Sequence, residues 1–325
     1  MKVLVTGAHG FLGSHVTERL LATGDSVVAL VTPWGDTDNL NAVMGHPDLS
    51  IVRADLTKPG AVSGVCDGVD AVVHAAARVS DWGPWEAFYR TNVLGSTRLL
   101  EESVAAGVGR FVFVSSVAVH TYRGFRDADT RLLPRDNLGN AYAYSKILAE
   151  DAVLNQKGIE GVILRPGLWP FGWRDATFQR VERALERGAL PLMKRGESVL
   201  NTCYAENFAE GVRLALRASE AAGRSYVIAD EGMPSWRELF DELARLVGTA
   251  PQRVSVPRRP ARAIATGVEA TWAALFPRTE PPMTRYRAAL MAHDVHFSTA
   301  HASEELGFVP TIGWREGMRR SVEAL

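Results

Sequence analysis

The sequence predicts an α/β fold, built as a doubly wound parallel sheet that is followed by a smaller, mostly helical region. Two observations predict it. The chain opens with a short apolar strand, a glycine-rich turn and an amphipathic helix. Strand and helix patterns then alternate through the first half, which is typical of a parallel sheet with helices on both faces.

The opening turn is the strongest of these signals. Residues 3–5 form an uninterrupted apolar run, as in a strand that is buried on both faces, and a helix is expected over residues 14–22. Between them stand Gly7, Gly10 and Gly13 at three-residue spacing. Glycines here permit a tight turn, close approach of a pyrophosphate and close packing of the helix on the strand. The helix N-terminus would attract the phosphates, so the sequence predicts a Rossmann-type dinucleotide site.

The hydrophobic patterns place the other elements. Strands are expected at 26–31, 51–53, 71–74, 110–115 and 161–164, and helices at 92–106 and 142–156. Beyond about residue 166 strand signals become scarce, and helices are expected at 176–187, 205–218, 235–247 and 261–275. We therefore divide the chain into a dinucleotide-binding domain, residues 1–165, and a substrate-binding region, residues 166–325, without an independent core.

The composition bears on nucleic-acid binding, disulfide content and cellular location. The chain of 325 residues carries 36 basic and 37 acidic side chains, which argues against a nucleic-acid partner. Cys66 and Cys203 are the two cysteines, too few for a disulfide framework. With no secretion signal or bilayer-spanning run in evidence, a cytoplasmic location is expected.

The end of the second strand bears on the choice of cofactor. An acidic residue there would bind the ribose hydroxyl of NAD, and an arginine nearby would accommodate the phosphate of NADP. The chain has Thr32 at this point, with Asp36 and Asp38 in the following loop. Neither cofactor is excluded, and the missing carboxylate gives NADP a slight preference within NAD(P).

Two further strand ends offer cofactor contacts. Asp55 and Leu56 follow the third strand, where the carboxylate would accept the adenine amino group; an ordinary helix cap is an equal alternative. His74 closes the fourth strand and precedes Ala75–Ala77, small side chains that would let the backbone lie close to the cofactor.

The chemistry is carried by Tyr142 and Lys146. Four residues apart on a helix, they share a face, whereas Tyr144 points away. An ammonium beside a phenol lowers the phenol pKa from about 10, so Tyr142 would exchange a proton with an alcohol or carbonyl oxygen. Ser115 and Ser116 end the fifth strand and point to opposite sides, so one of them faces the cleft.

These residues resemble those of the extended short-chain dehydrogenase/reductases. The similarity covers residues 6–13, Ser116 with Tyr142 and Lys146, residues 90–96, and Leu164 to Gly172. The family places its catalytic serine or threonine four residues before a usual tyrosine, so Ser116 matches and His120 stands in that tyrosine's place. The resemblance implies that Tyr142 is the acid/base, that Lys146 tunes it and holds the nicotinamide ribose, and that Ser116 positions the substrate oxygen. The expected cofactor contacts are Gly7, Gly10, Phe11, Leu12, Gly13, Thr32, Asp55, Leu56, Ala75, Ala76, Ala77, Asn92, Tyr142, Lys146 and Pro166.

Within that family the C-terminal half looks most like the 3β-hydroxysteroid dehydrogenase branch, at residues 223–228, 280–285 and 306–310. The resemblance implies an NAD(P)-dependent oxidoreductase that interconverts a secondary alcohol and a ketone. The alternative is a nucleotide-sugar epimerase with tightly bound NAD. A dehydratase of the family carries acids directly after the catalytic serine, where this chain has Val117 and Ala118. A non-catalytic dinucleotide sensor is disfavoured by the Tyr142 and Lys146 pair.

Four tryptophans suggest a hydrophobic substrate that is steroid-like, long-chain or aromatic. Trp82, Trp85, Trp169 and Trp173 follow two strands at the cofactor end, although packing between the lobes explains them equally well.

Two surfaces are considered for association. Ile264, Val268 and Trp272, near Arg258, Arg259 and Arg262, form a basic amphipathic helix; membrane association is possible, but packing over the cleft is favoured. The resemblance implies a homodimer through helices 92–106 and 142–156.

Overall fold

A seven-stranded parallel sheet forms the centre of the molecule. The computed structural model describes residues 1–120, 124–136, 139–188, 192–252, 254–276, 279–281 and 283–325, with the backbone alone for 258–262. The strands are β1 Lys2–Thr6, β2 Ser26–Val31, β3 Leu49–Arg53, β4 Ala71–His74, β5 Arg110–Val114, β6 Phe125–Ala128, β7 Glu160–Pro166, β8 Trp169–Phe171, β9 Leu192–Met193, β10 Thr202–Tyr204, β11 Ser225–Ile228, β12 Ser255–Val256 and β13 Val295–Phe297.

Helices cover both faces of this sheet and build most of the second half. They are α1 Phe11–Ala22, α2 Trp85–Phe88, α3 Gly95–Ala105, α4 Ala141–Asn155, α5 Ala176–Glu186, α6 Ala205–Ala215, α7 Trp236–Leu246, α8 Arg258–Leu275, α9 Arg285–Ala292, α10 Ala300–Leu306 and α11 Trp314–Glu323. The predicted doubly wound fold is confirmed.

The sheet order is β11-β7-β5-β4-β1-β2-β3, and each neighbouring pair is parallel. The carboxyl ends of all seven strands therefore meet at one edge. The six strands expected from the sequence are present, but β11 was not predicted. It is only four residues long, and its pairing with β7 is a tertiary contact that no local pattern reveals.

Alternation along β1 shows why its apolar run is continuous. Val3 and Val5 pack on one face into a cluster that includes residues of α1 and α6. Leu4 points to the other face, where it joins residues of α3 and α4. A strand that is covered on both faces has apolar residues at every position, which explains the continuous apolar run at residues 3–5.

The second half shares the central sheet and also has an apolar cluster of its own. Strand β11 and helix α6 lie beyond residue 165, yet both belong to the core around β1. Trp169, Phe178, Trp236 and Met318 belong to a separate cluster built from residues 168–322. Strand β11 and helix α6 therefore tie the region beyond residue 165 to the central sheet and its core, and the domain boundary at residue 165 stays a prediction.

The helix expected at 92–106 begins in an unusual way. A π-helical turn, Tyr89–Leu94, joins α2 to α3, and Asn92 within it is buried. Such π turns are often found at functional sites because they redirect side chains that a regular helix would aim elsewhere.

Candidate functional site

The carboxyl edge of the sheet brings the expected residues together. Gly7, Thr32, Asp55, Ala75 and Ser116 each follow one of its strands, and Pro166 closes β7. Ligands of open α/β sheets bind outside this edge.

The glycine turn is built by contacts too close for side chains. Gly7 has a φ of +64°, and a Cβ there would lie 2.8 Å from the backbone of Ala76. A Cβ on Gly13 would lie 2.1 Å from the Gly7 carbonyl oxygen, because α1 presses on the turn. Gly10 caps α1 without a side-chain hydrogen bond, which leaves the helix N-terminus open to a phosphate. This cradle fits the pyrophosphate of a dinucleotide.

The loop after β4 is fixed to the glycine turn by a buried chain of hydrogen bonds. The Thr6 hydroxyl accepts from the Ala76 N–H (3.2 Å) and lies 2.6 Å from His74 Nδ1. His74 Nε2 lies 2.8 Å from Ser96 Oγ. Burial lowers the pKa of His74 to about 3, so the ring is neutral at physiological pH. Sequence reasoning missed this role, although a histidine that ends an apolar strand was the available signal.

Asn92 connects that loop to the helix of the expected catalytic pair. Its amide accepts from the Arg78 N–H (2.7 Å) and donates to the Arg78 carbonyl (3.0 Å) and the Ser145 hydroxyl (2.9 Å). These contacts with protein groups indicate that Asn92 positions α4 and the Arg78 backbone, which directly follows Ala75–Ala77.

Four other expected cofactor contacts lie near the edge but are engaged with neighbouring protein groups. The Asp55 carboxylate accepts from the Thr57 N–H (2.9 Å) and hydroxyl (2.7 Å). Residues 56–68 form turns, so this carboxylate stabilises a turn and does not cap a helix. Leu56 is buried against the start of α3. Phe11 packs beside Gly172, where a Cβ would lie 2.9 Å from its ring, while Leu12 packs against the core of the sheet.

Tyr142 is buried at the first turn of α4, on the side of the helix that faces the end of β5. Burial raises the pKa of Tyr142 to about 12, and the Ser116 hydroxyl opposes that rise. The sequence predicted a lowered pKa; burial of the phenol, which the spacing of residues does not reveal, gives the opposite direction. Tyr142 is therefore a protonated phenol at neutral pH.

Lys146 is also buried, so it is not the solvated charge that an isolated lysine would be. Its Nζ donates to the Val114 carbonyl (2.7 Å) and lies 4.6 Å from the centre of the Phe113 ring. Burial lowers the pKa of Lys146 to about 7, and the Glu150 carboxylate one turn later opposes the change.

The two serines behave as the strand geometry predicts. The Ser116 hydroxyl lowers the pKa of Tyr142, whereas the Ser115 hydroxyl lowers the pKa of Glu150 on the other side. Glu150 accepts from Arg165 Nε (2.8 Å) and Nη2 (2.7 Å) in a buried ion pair. His120 lies 3.2 Å from the same guanidinium, and its pKa is lowered to about 4 by burial and by Arg165. His120, which stands where the family usually has a tyrosine, therefore belongs to the buried network of Glu150 and Arg165.

The four tryptophans lie in different environments. Trp169 is buried among Phe171, Phe178 and Trp236, so it belongs to the core and does not line a substrate pocket. Trp173 stacks on Arg174 and lines a groove beside α1. Trp85 stacks on Tyr144 at the surface with ring centres 5.2 Å apart, which confirms that Tyr144 points away from the site. Trp82 lies half-buried in the loop after β4.

Helix α8 packs through Ala265, which is buried against Met193 and Ala288. Ile264 is 53% exposed, so the apolar face formed by Ile264, Val268 and Trp272 is not completely packed against the core. The side chains of Arg258, Arg259 and Arg262 lie outside the described residues, as does Pro282. Across the described ranges, no helix is both long and apolar enough to cross a membrane.

Comparison with known proteins assigns the family. The model of the NAD dependent epimerase/dehydratase family matches residues 3–229. The chain belongs to this family. A 2-alkyl-3-oxoalkanoate reductase from Stenotrophomonas maltophilia is 31% identical, with 98% of each chain covered. A 3 beta-hydroxysteroid dehydrogenase/Delta 5-->4-isomerase from Mycobacterium tuberculosis is 27% identical over 95% of this chain and 86% of its own.

Solved structures agree with the fold. A dTDP-glucose 4,6-dehydratase from Streptomyces venezuelae, with NAD bound, is 26% identical and superposes with a TM-score of 0.78 over 99% of this chain and 96% of its own. The family's dinucleotide is NAD, and the resemblance to extended short-chain dehydrogenases with 3β-hydroxysteroid dehydrogenase relatives is confirmed.

The lowered pKa of Lys146 predicts a pH-dependent stability. Between about pH 7 and the ordinary value of 10.5, the unfolded chain retains a proton that the folded chain has released. The free energy of unfolding therefore gains a contribution that grows as pH rises through this window. We expect Lys146→Met to lack it, so urea unfolding at pH 7 and pH 9 should show the wild type gaining stability relative to the variant. The exposed Lys157→Met is the control, and equal pH slopes in wild type and Lys146→Met would contradict the assignment.

Proposed function

We propose that this chain is an NAD(P)-dependent oxidoreductase that interconverts a ketone and a secondary alcohol on a hydrophobic substrate. One observation carries the proposal: the Tyr142 and Lys146 face of α4 lies against the end of β5, where Lys146 Nζ donates to the Val114 carbonyl (2.7 Å) and Ser116 follows, at the sheet edge that carries the glycine cradle. Bound NAD(P) would supply or accept the hydride.

The chain's own residues have separate tasks in this reaction. Tyr142, protonated at neutral pH because it is buried, donates its proton to the carbonyl oxygen when a ketone is reduced. Ser116 donates a hydrogen bond to the same oxygen and stabilises its developing negative charge. Lys146, buried one helical turn from Tyr142, would hold the nicotinamide ribose.

The relatives support a reductase with a hydrophobic substrate. The bacterial 2-alkyl-3-oxoalkanoate reductase carries a ketone in its substrate name, and the mycobacterial enzyme is named for a steroid alcohol. A nucleotide-sugar epimerase is the second candidate, because UDP-sugar epimerases share the fold. Dehydration is disfavoured, since the buried Val117 and Ala118 stand where a dehydratase carries acids.

The end of β2 supports the slight preference for NADP. Arg53, which ends β3 in register with Val31, donates from Nη1 to the carbonyls of Thr32 (3.0 Å) and Gly35 (2.9 Å). The Thr32 hydroxyl lies 3.5 Å from His9 Nε2. An exposed guanidinium and a hydroxyl beside the expected ribose position suit a 2′-phosphate. The exposed Asp36 is the competing feature, since its carboxylate would favour NAD.

Two conservative tyrosine variants test the catalytic assignment. Tyr142→Phe should bind cofactor normally but lose roughly 10²–10⁴-fold in turnover, because the proton donor is removed. Tyr144→Phe, which alters an exposed ring two residues away, should keep wild-type turnover. Steady-state oxidation of NADPH and NADH with steroid, β-keto and aromatic ketones measures both. Near wild-type turnover in Tyr142→Phe would falsify the role, and conversion of UDP-sugars without net cofactor change would favour the epimerase.

The cofactor preference has its own variant. Arg53→Gln should raise the KM for NADPH by roughly 10- to 100-fold, as expected for a lost charged hydrogen bond, and leave the KM for NADH nearly unchanged. Arg98→Gln is the matched control, because Arg98 also donates to backbone carbonyls, those of Leu56 and Thr57. An equal change for both cofactors in Arg53→Gln would remove the argument for NADP.

We further propose a homodimer through α3 and α4. Trp85, Tyr89 and Tyr144 form an aromatic cluster at the surface of α2 and α4, with Tyr144 41% exposed. We expect the wild type to sediment as a dimer at micromolar concentration in sedimentation velocity. Tyr144→Lys should be more monomeric, because the substitution would bury a charge in the interface. Leu275→Lys, at an exposed position of α8, should leave the dimer intact. A monomeric wild type would refute this assembly.

A cytoplasmic setting completes the proposal. Cys66 and Cys203 are both buried free thiols, which suits a reducing compartment. Membrane association through α8 is not part of the proposal, because Ala265 of that helix is packed against the protein.

A further inference from the structure

A carboxylate in the loop after β4 ties that loop to the second half of the chain. Asp81 Oδ1 accepts from Arg287 Nη2 (2.8 Å), and its Oδ2 accepts from the Thr284 hydroxyl. Thr284 is fully buried, and the Asp81 side chain is 9% exposed. We call Asp81, Thr284 and Arg287 the clasp.

The clasp fixes the start of α9. The Thr284 hydroxyl that donates to Asp81 also caps this helix by accepting from the Arg287 N–H (3.0 Å). Arg287 is paired with Glu280 as well, and the Arg285 N–H donates to the Glu269 carboxylate of α8 (2.6 Å). Negative charge at a helix N-terminus is favourable, so these carboxylates hold α9 in both position and direction.

Helix α9 carries Tyr286 to the catalytic side of the molecule. This ring packs against the small apolar cluster that contains Phe88, Ala118 and Tyr142. It also packs against a second cluster that contains Val117 and Phe297. Tyr286 thus packs on the cluster that contains Tyr142, from an element in the opposite half of the chain.

The other end of the same loop belongs to the cofactor cradle. The Ala76 N–H donates to Thr6, and the Arg78 backbone is held by Asn92. Residues 75–84 therefore have two anchors, one at the glycine turn and one at α9. Because the cradle anchor does not depend on Asp81, loss of the clasp should affect the α9 side selectively.

We propose that Asp81 is a positioning residue, which acts through Thr284 and Arg287 to hold Tyr286 as the wall of the site for the hydrophobic part of the substrate. The inference rests on the proposed ketone reduction. It adds a specificity-determining residue, Tyr286, and the residue that places it. Neither group takes part in proton or hydride transfer.

The test compares two buried carboxylates that each pair with an arginine across the halves. Asp81→Asn weakens the clasp. Asp25→Asn is the matched control, because Asp25 is 2% exposed and binds Arg217, but precedes β2 at the opposite edge of the sheet. Asp81→Asn should raise the ketone KM about tenfold while kcat and the cofactor KM change less than about twofold. Asp25→Asn should change none of them.

A second readout does not depend on turnover. Amide hydrogen exchange should become faster in α9 and residues 79–84 of Asp81→Asn, and stay unchanged there in Asp25→Asn. Should Asp81→Asn not fold, Arg287→Gln breaks the same clasp from the other side. Tyr286→Leu should change the ratio of kcat/KM between long-chain and short ketones without changing the cofactor KM.

The outcomes separate the two proposals. A wild type that reduces no ketone with either cofactor rejects the proposed function, and the exchange comparison still tests the clasp. An unchanged ketone KM with unchanged exchange in Asp81→Asn overturns the clasp, as does an equal rise of the ketone KM in Asp25→Asn. An unaltered substrate ratio in Tyr286→Leu overturns the role of that ring.

Discussion

The close contact between the glycine turn and the loop after β4 is the constraint on which the site depends. Gly7 lies so close to the Ala76 backbone, and Gly13 so close to the Gly7 carbonyl, that neither position has room for a Cβ atom. Thr6 secures this arrangement by bonding Ala76 and His74 together. The phosphate cradle, the fourth strand end and the start of α1 thereby become one rigid unit. Every other group of the site is placed relative to it.

Burial decides the protonation states around this unit. Desolvation is the largest influence on the pKa values of His74, Tyr142 and Lys146, and in each case it favours the neutral form. The buried Glu150 and Arg165 pair behaves differently, because each charge satisfies the other through two hydrogen bonds. The neutral phenol of Tyr142 therefore lies near a buried ion pair, Glu150 and Arg165, whose two charges neutralise each other. That arrangement suits Tyr142 to proton donation.

Three of the connections between the two halves of the chain differ in what they do for the site. Strand β11 joins the sheet, α6 packs in the same core as α1, and Asp81 reaches Thr284 and Arg287 across the site. The first two contacts build the scaffold. The third lies beside the catalytic residues, where a small displacement changes the shape of the site and leaves the sheet unaffected.

Local patterns were enough for the fold class, the six strands read from apolar runs, the glycine turn and the shared face of Tyr142 and Lys146. These follow from backbone periodicity, from the steric freedom of glycine and from strand alternation, which also separated Ser115 from Ser116. Tertiary structure alone decided the pairing of β11, the burial of Trp169 and the raised pKa of Tyr142. Each of these depends on which distant residues exclude water or supply a partner. Asp81 and Arg287 are 206 positions apart, so their contact exists only once the sheet has brought both halves to one edge.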